Sequence, residues 1–382
     1  MQVALQITFW ICLAGLFHIY VGYPMLIWML ARLRSQRVDK RPLAKSISVV
    51  VSAYNEAAVI GRKLDKIIAS DCSDQIVEIL VASDCSNDGT TDIVANYLDD
   101  RVRLLHFEER RGKPAVLNDV VPQCQSDIVV LMDSRQELEA NSISELIANF
   151  SDPKVGVVSG ELVFRAPEGN TTVGQGIGMY WKYEKFIRRH ESQIRSVPGA
   201  TGAIYGIRKE LFERIHDLTI LDDVVIPMQA VVKGYRCVFE PNAVAYDTPS
   251  QTTTKETLRK RRTIAGSAQL LLHHPSWILP WKNPIWFEFM SHKILRLASP
   301  LLLAVLAGAN LALDEIPLYR VLLAFHVGFY LSAVVGYWFQ MTGRKSKCFG
   351  VQLMFVRLNA TTLAALWDAL RGRFTAAWQK TT

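Results

Sequence analysis

The feature that most constrains this chain is the position of its long apolar runs, which lie toward both ends and leave the middle polar. The first run extends from Val3 to Ala31, and two more extend from Ile294 to Leu313 and from Val321 to Met341. Each is long enough to cross a bilayer, because a helical span needs about 20 residues. We therefore expect an N-terminal transmembrane anchor over residues 1–33 and transmembrane and interfacial helices over residues 293–382.

Basic residues beside these runs predict how the chain is oriented. They follow the first run as Arg32, Arg34, Arg37, Lys40 and Arg41, and the third run as Arg344, Lys345 and Lys347. Positively charged flanks remain in the cytosol, so the polar middle is predicted to face the cytosol from a bacterial-type plasma (inner) membrane. A cleaved signal peptide is disfavoured, because no basic residue precedes the first run and no small-residue cleavage site follows it.

Composition excludes several classes of protein. The net charge of +7 accompanies no nucleic-acid recognition motif and is explained by the membrane flanks. A small-solute transporter is excluded because the long polar middle cannot span a membrane. The six cysteines are scattered without a CxxC pair or zinc-ligand spacing, which predicts reduced thiols in a cytosolic domain.

Two further segments are expected to contact the membrane surface. Trp277, Trp281 and Trp286 lie close to prolines and predict an interfacial helix region over residues 273–292, with packing into an aromatic core as the alternative. The last apolar segment, from Phe349 to Leu370, contains charged residues and is predicted to lie in the interface or to re-enter. A fourth span is the alternative for that segment.

Residues 46–272 alternate short β-branched runs with helix-like stretches. Strands are predicted at Ser46–Ser52, Val77–Ala82, Val102–His106 and Ile128–Met132. This alternation is typical of an α/β domain with a doubly wound, mostly parallel sheet. Ligands of such sheets bind beyond the carboxyl ends of the strands. Asp84 and Asp133, which follow two of the strands, are therefore expected to face one crevice.

Seven segments of this domain occur in a familiar order. They read VVSAYNE, ASDCSNDGTTDI, RRGKPAVLND, LMDSR, PGATGAIYGIRKELF, LDDVVIPMQAVVKGYRCVFEPNA and RKRRTIAG. Together they resemble the family 2 glycosyltransferases with a GT-A fold, and the flanking apolar runs resemble those of membrane-anchored bacterial members. The resemblance covers residues 46–272 and implies an enzyme that uses a nucleotide-sugar donor, most commonly a UDP-sugar.

The resemblance implies a set of donor-binding residues, namely Tyr54, Glu56, Asp84, Lys113, Asp133, Arg259 and Arg262. Asp84 is expected to hydrogen-bond the base or ribose, and Lys113 to offset the charge of the phosphates. Arg262 matches the arginine of the QxxRW motif of polymerising members and is expected to bind the diphosphate. A solvated basic turn remains the alternative for Lys113, and a basic helix on anionic lipid remains the alternative for residues 259–263.

Metal binding follows from the same resemblance. Asp133 matches the first aspartate of the family's DxD motif and implies a divalent cation, Mg²⁺ or Mn²⁺. Arg135 stands where the second aspartate is expected, and a guanidinium cannot coordinate a cation. Arg135 is expected either to contact a phosphate or to pair with Glu137 or Glu139.

The remaining catalytic residues are implied on the acceptor side. Asp222 and Asp223 match the family's ED motif, and Asp223 is expected to be the general base, with inversion at the sugar carbon as the consequence. The same pair is also placed to cap a helix that begins near Val224. Gly199, Ala200 and Gly202 match the acceptor-side loop of the family.

Three functions are consistent with these residues. The favoured one is non-processive transfer to a lipid-linked or polysaccharide-precursor acceptor, because Thr263 replaces the tryptophan that processive members carry. A processive exopolysaccharide synthase is the first alternative. A catalytically inactive, nucleotide-binding membrane scaffold is the second, and only Arg135 favours it.

Overall fold

The computed structural model describes residues 1–165, 172–247, 253–342 and 349–371. The basic flank predicted at Arg344, Lys345 and Lys347 lies outside these residues. The catalytic domain is built on one sheet, whose strands are β1 (Ile47–Ala53), β2 (Ile76–Asp84), β3 (Val102–Phe107), β4 (Ile128–Asp133), β5 (Glu137–Leu138), β6 (Val155–Phe164), β7 (Tyr205–Arg208) and β8 (Arg236–Asp247).

The sheet has the order β3-β2-β1-β4-β7-β6-β8-β5. The first four strands are parallel to one another. β7 is antiparallel to both of its neighbours, and β5 is antiparallel to β8, while β6 and β8 are parallel. The α/β class and the four predicted strands are confirmed. The other four strands were not predicted, and they make the sheet mixed.

Strand β1 shows why these residues form a central strand. Its seven residues, ISVVVSA, are all buried, as expected for a parallel strand covered by helices on both faces. Side chains alternate between faces along a strand. Val50 accordingly packs into one hydrophobic cluster, and Val49 and Val51 pack into the cluster on the opposite face.

Helices cover both faces of the sheet and extend beyond it. Those of the catalytic domain are α3 (Ile60–Ile68), α4 (Thr90–Ala95), α5 (Lys113–Val120), α6 (Ser142–Ile147), α7 (Thr172–Ile194), α8 (Asp222–Val232) and α9 (Thr253–His273). They are flanked by α1 (Gln2–Phe17), α2 (Tyr23–Leu33), α10 (Trp286–Phe289), α11 (Leu295–Ala312), α12 (Pro317–Met341) and α13 (Gly350–Leu370). Single π-helical turns join α1 to α2 and α10 to α11.

Within the described residues, three continuous helices are long and apolar enough to cross a membrane: Gln2–Leu33, Trp286–Ala312 and Pro317–Met341. They cover the three predicted spans to within one residue at the end of the second, and the chain is a membrane protein by this criterion. The second helix begins eight residues before the predicted Ile294, because α10 continues through the π-turn into α11. α1 packs against α11 through an apolar contact that includes Phe9 and Leu306.

The three tryptophans of residues 273–292 do not share one environment. Trp277 is buried in the core and stacks on His274 with ring centroids 4.1 Å apart. Trp281 is 75% exposed, while Trp286 is half-buried and donates to the carbonyl of Ile278 at 2.6 Å. Trp277 therefore follows the core-packing alternative, and the interfacial placement of Trp281 stays a prediction.

The last apolar segment is the helix α13, which packs against α7, α9, α11 and α12. Its Asn359 is buried and accepts a hydrogen bond from Ser299 of α11 at 2.6 Å. Its Asp368 pairs with Arg261 of α9 at 2.5 Å. These contacts attach α13 to the catalytic domain, and its interfacial or re-entrant placement stays a prediction.

A buried polar cluster joins the flanking helices to α7. The hydroxyl of Tyr23 donates to Glu191 at 2.5 Å, and Glu191 is fully buried. The two ring nitrogens of His292 lie 2.8 Å from Glu191 and 2.9 Å from Glu184. Arg296 of α11 also pairs with Glu184. Buried polar groups need such partners, so these residues hold α2, α7 and α11 in one arrangement.

Candidate active site

The loops that follow β1 and β2 are bonded to each other. Asn55 has a φ of 53°, a left-handed conformation that asparagine tolerates better than most residues. Its backbone N–H donates to Ser86 Oγ at 3.0 Å, and its side-chain oxygen accepts from the N–H of Asn87 at 2.9 Å. The N–H of Glu56 donates to Thr90 Oγ1 at 2.8 Å. Tyr54 and Glu56 are thereby placed at the carboxyl ends of the parallel strands.

Asp84 ends β2 and holds the loop that precedes α5. Its carboxylate is buried and accepts from the backbone N–H groups of Arg111 at 2.7 Å and Gly112 at 2.9 Å. A carboxylate oxygen has lone pairs for a second bond, so the group can still contact a ligand. On the same side, the guanidinium of Arg110 stacks on the ring of Tyr54 at 3.9 Å. Tyr54, Asp84 and the loop at residues 110–112 therefore form one wall.

Lys113 begins α5 and lies between two carboxylates. Its Nζ is 2.7 Å from Asp133 Oδ1 and 3.1 Å from Asp222 Oδ2. Burial alone would lower the pKa of Lys113, but Asp133 and Asp222 outweigh burial and raise that pKa well above its ordinary value. The side chain is thus a fixed positive charge between the two carboxylates.

The loop of residues 199–202 touches the aspartates on both sides of the crevice. The N–H of Asp133 donates to the carbonyl of Gly202 at 3.0 Å, and the N–H of Ala200 donates to the carbonyl of Asp223 at 2.7 Å. A Cβ on Gly202 would lie 3.2 Å from Asp133 Oδ2 and 3.4 Å from Lys113 Nζ. Gly199 has a φ of 138°, which favours glycine. The predicted acceptor-side loop therefore lies directly against the ion pair.

Asp222 and Asp223 form the first turn of α8. Asp222 is buried, and Asp223 is half-buried beside it. Burial and then the charge of Asp222 raise the pKa of Asp223 to about 6, although Lys113 and Lys293 act in the opposite direction. A base works best when its pKa is close to the operating pH. Asp223 is therefore electrostatically suited to accept a proton near neutrality.

Arg135 corrects one expectation from the sequence. Its Nε and Nη2 lie 3.1 Å and 2.7 Å from the two carboxylate oxygens of Asp247, at the end of β8. Gln136 also donates to Asp247 at 3.2 Å, and Arg259 of α9 is 3.7 Å away. Such a bidentate pair is geometrically specific. Arg135 is thus held by Asp247 and is not paired with Glu137 or Glu139.

The two expected partners of Arg135 are engaged elsewhere. Glu137 pairs with Arg165 at 2.6 Å, and Glu139 accepts from the hydroxyl of Tyr246. The sheet order explains the difference, because β8 lies next to β5 and brings Asp247 to Arg135 across 112 residues of sequence. The ion-pair partner of Arg135 was therefore predicted wrongly, because it was sought among residues close to it in sequence.

Beside Lys113, a divalent cation would meet the carboxylates of Asp133 and Asp222. Among the described residues there is no group of three or more His, Cys, Asp and Glu side chains that could hold a metal. Asp133 has one oxygen engaged by Lys113, while the other faces Gly202. Asp133 therefore fits a cation whose other ligands are phosphate oxygens and water, as is common for Mg²⁺.

The basic residues of α9 point to different partners. Arg259 is near Asp247, and the ammonium of Lys260 lies 4.8 Å from the ring centroid of Tyr180. Arg261 pairs with Asp368 of α13. Arg262 is half-buried, and Thr263 is exposed. Arg259 is thus placed beside the Arg135–Asp247 pair rather than beside Lys113.

Two residues that the sequence analysis missed bond to backbone carbonyls of the loops that form the site. Lys63 is 3% exposed and donates from Nζ to the carbonyl of Gln136 at 2.9 Å, below the loop that carries Asp133. Burial lowers the pKa of Lys63 to about 7. Arg188 of α7 donates to the carbonyl of Gly199 at 3.0 Å. The signal for Lys63 was its place among the apolar residues of α3.

Comparison with known proteins gives matches across this domain. Residues 48–216 match the sequence model described as glycosyl transferase family 2. The poly-beta-1,6-N-acetyl-D-glucosamine synthase of Staphylococcus aureus (strain COL) is 24% identical over 234 residues, which are 60% of this chain and 56% of that protein. The probable glycosyltransferase YdaM of Bacillus subtilis (strain 168) is 23% identical over 256 residues, which are 62% of this chain and 58% of that protein. The chain thus spans little more than half the length of these relatives.

Among solved structures, the chain is similar to the mannosyltransferase PcManGT from Pyrobaculum calidifontis, determined in complex with GDP-Man and Mn²⁺. The TM-score is 0.71 at 24% identity, and the similarity covers 96% of this chain and 99% of that one. At this level of identity the similarity shows a common fold, and the common fold includes the flanking helices.

Proposed function

The chain carries a family 2 glycosyltransferase domain with a GT-A-like fold, and from that premise we propose inverting, non-processive transfer to a lipid-linked or polysaccharide-precursor acceptor. The enzyme class and the nucleotide-sugar donor follow from the family. The acceptor, the stereochemistry and the place of reaction are parts of the proposal. The observation that carries it is the pair of aspartates in the first turn of α8, where Asp222 Oδ2 lies 3.1 Å from Lys113 Nζ and Asp223 is the next residue.

The donor is proposed to bind along the wall formed by Tyr54, Asp84 and residues 110–112. Asp84 can accept a hydrogen bond from the base or ribose while it keeps its two backbone partners. Glu56 lines the same pocket, and Lys113 meets the diphosphate. Arg259 and Arg262 are proposed to approach the diphosphate from α9. Lys113 is already held in place before the donor binds. It can therefore stabilise the diphosphate leaving group without a rearrangement of the site during the reaction.

The proposed metal site uses Asp133 as the only protein carboxylate. A bound Mg²⁺ or Mn²⁺ would neutralise part of the diphosphate charge as the leaving group departs. The mannosyltransferase of similar fold was solved with Mn²⁺, which supports a divalent cation here. Because Lys113 supplies a second positive charge, a chelator is expected to lower activity without abolishing it, and complete indifference to chelation would remove the metal role from Asp133.

The proposed chemical step places Asp223 on the acceptor side. The carboxylate takes the proton of the acceptor hydroxyl, and the hydroxyl oxygen then forms a bond to the anomeric carbon. The bond from that carbon to the donor diphosphate breaks, and its electron pair leaves with the diphosphate. Attack from the face opposite the leaving group inverts the configuration. Residues 199–202, which contact Asp133 and Asp223, are proposed to hold the acceptor sugar.

The membrane helices support a membrane-bound acceptor. Three helices are able to cross a bilayer, and the second is joined to the catalytic domain by the cluster of Tyr23, Glu191 and His292. The basic residues that follow the first helix favour a catalytic domain in the cytosol, where nucleotide sugars are made. Reporter fusions after Lys40 and at Glu315 are expected to give a cytosolic and an external signal, respectively.

A processive synthase is the second candidate, because one of the similar relatives is a polysaccharide synthase. Against it, Thr263 is an exposed small side chain where processive members present a tryptophan to the acceptor. The length of the product separates the two candidates. A single added sugar supports the proposal, and a ladder of products supports the synthase.

The test uses purified full-length protein with a panel of UDP- and GDP-sugars and a lipid extract from the source membrane. Nucleotide release that depends on the extract is expected for one donor, with a product one sugar heavier by mass spectrometry. Asp223→Asn serves as the control that keeps the donor site. If a donor binds but no nucleotide is released, either by transfer or by hydrolysis, the chain is an inactive scaffold.

A further inference from the structure

A second concave site lies away from the catalytic crevice, between the end of α2, one face of α7 and residues of strands β6 and β8. This α2–α7 groove has a volume of about 590 Å³. Its basic lining residues are Arg32, Lys182, Lys185 and Arg189, and its aromatic ones include Trp28 and Phe186. None of the residues proposed for sugar transfer lines it. The groove therefore needs an explanation of its own.

The groove carries an excess of positive charge. Lys182, Lys185 and Arg189 recur every three or four residues along α7 and so share one face of that helix. Glu161 is the one carboxylate among the lining residues, and it pairs with Lys185. Within the described parts of the chain, Lys182 and Arg189 are exposed and form no ion pair. Like charges gathered without counter-ions favour the binding of an anion.

The position of the groove identifies the source of that anion. Trp28 and Arg32 belong to the last two turns of the helix Gln2–Leu33, one of the three able to cross a membrane. The guanidinium of Arg32 lies 5.0 Å from the centre of the Trp28 ring, and both residue types favour the boundary between hydrocarbon and water. The groove therefore opens where α2 leaves the bilayer, at the depth of the lipid headgroups.

We propose that the α2–α7 groove binds the headgroup of an anionic phospholipid. Its phosphate lies between Lys182, Arg189 and Arg32, and the start of an acyl chain runs along Trp28, which is 38% exposed. Basic pockets at the cytoplasmic ends of membrane helices bind anionic headgroups in this way. The proposal does not depend on the identity of the sugar or of the acceptor.

Helix α7 connects the groove to the loop at residues 199–202 through one hydrogen bond. Arg188, the neighbour of Arg189 in α7, donates to the carbonyl of Gly199 and to Ser159 Oγ, each at 3.0 Å. A headgroup that orders one face of α7 therefore acts on the helix that holds the loop at residues 199–202.

The experiment titrates the full-length protein, in a neutral detergent, with two short-chain lipids of equal length. Dioctanoyl phosphatidylglycerol is the anionic probe, and dioctanoyl phosphatidylcholine is the zwitterionic one. Binding is followed by thermophoresis and by the rise in unfolding temperature. Inorganic phosphate and UDP are added as competitors of bound phosphatidylglycerol, because a soluble anion is the other possible source of a phosphate group.

The variant Lys182→Gln/Arg189→Gln removes two exposed cations from the groove. Each cation near an anionic lipid contributes on the order of a fivefold change in binding, so the pair is expected to weaken phosphatidylglycerol binding about 25-fold. The matched control, Lys66→Gln/Lys154→Gln, removes the same charge from exposed positions outside the groove and is expected to bind like the parent protein. Both variants change surface residues, so circular dichroism should show an unchanged fold.

Preference for phosphatidylglycerol that is lost only in the groove variant supports the proposal. Equal binding of the two lipids overturns it, as does a groove variant that binds like the control. If inorganic phosphate or UDP competes as well as phosphatidylglycerol does, the groove is a site for a soluble anion and the lipid assignment is wrong.

Discussion

The two halves of the central sheet build their shares of the site in different ways. In the parallel half, β3-β2-β1-β4, Asp84 and Asp133 end their strands, and the loops after adjacent strands bond to one another, as Asn55 does to Ser86. In the mixed half, β7-β6-β8-β5, partners come from far along the chain, as Asp247 does to Arg135. The wall formed by Tyr54, Asp84 and residues 110–112 is therefore a product of adjacent strand ends, and the Arg135–Asp247 pair is a product of tertiary packing.

This difference predicts how substitutions behave. A change at a strand end of the parallel half should disturb one loop and donor binding, while the fold remains intact. A change in the mixed half should affect either the chemical step or global stability, because its residues join several elements. The following substitutions test that contrast, beginning with the largest expected effect.

Asp223→Asn should lower the rate of transfer by about 10²–10⁴-fold, because a general base contributes on this scale. Donor affinity, measured by calorimetry, should hardly change, since Asp223 is proposed to act on the acceptor hydroxyl. In the parent protein, the rate should rise with pH through about 6, as Asp223 loses its proton. Full turnover by the variant would refute the assignment of the base.

Asp84→Ala should weaken donor binding by about 1–3 kcal/mol, or roughly 5- to 150-fold. Two backbone N–H groups lose their acceptor, and the ligand loses a hydrogen-bond partner. Asp84→Asn keeps an acceptor oxygen for one N–H and should lose less. If calorimetry gives the same donor affinity for all three proteins, Asp84 is a turn residue without a part in binding.

Arg135→Ala should lower the free energy of unfolding by about 1–3 kcal/mol, because it leaves the buried carboxylate of Asp247 without its bidentate partner. The matched control is Arg165→Ala, which breaks the exposed pair with Glu137 and should cost about 0–1 kcal/mol. Denaturant titration in detergent compares the two. Equal losses would mean that the Arg135–Asp247 pair adds no more than a surface ion pair.

Lys63→Met should change how stability depends on pH. The folded pKa of Lys63 is about 7 against an ordinary value of 10.5, so between these values the unfolded chain binds more protons and stability rises with pH. Removing the group should raise the unfolding temperature most below pH 7, with a benefit that shrinks toward pH 10. Lys66→Met, at an exposed position on α3, is the control. If Lys63→Met raised the unfolding temperature by the same amount at every pH, the lowered pKa of Lys63 would be contradicted.

The contrast between the halves also explains what could be predicted from sequence. The strands β1 to β4, together with Asp84, Lys113 and Asp133, were accessible because each motif lies within a few residues of a strand end. Strands β5 to β8 are short or mixed in pattern, and their pairing depends on a sheet order that no local run of residues encodes. The same limit hid the partner of Arg135, which is 112 residues away.

Two further residues show limits of a different kind. Trp277 was expected at the membrane surface, but it is surrounded by core residues that lie elsewhere in the chain. Lys63 reads as an ordinary surface lysine unless its neighbours Ile60, Leu64 and Ile67 are recognised as the buried stripe of α3. Burial is a property of the assembled fold, so the local sequence alone does not show that both residues are buried.

The buried contacts of Tyr23, Glu191 and His292 have a mechanical consequence. They join two helices able to cross a membrane to the helix α7 that holds the loop at residues 199–202. The active crevice is thereby kept at a constant height above the bilayer, instead of swinging on a flexible stalk. An acceptor anchored in that bilayer must present its hydroxyl at the same height. The molecule would therefore select acceptors by their reach from the membrane as well as by their chemistry.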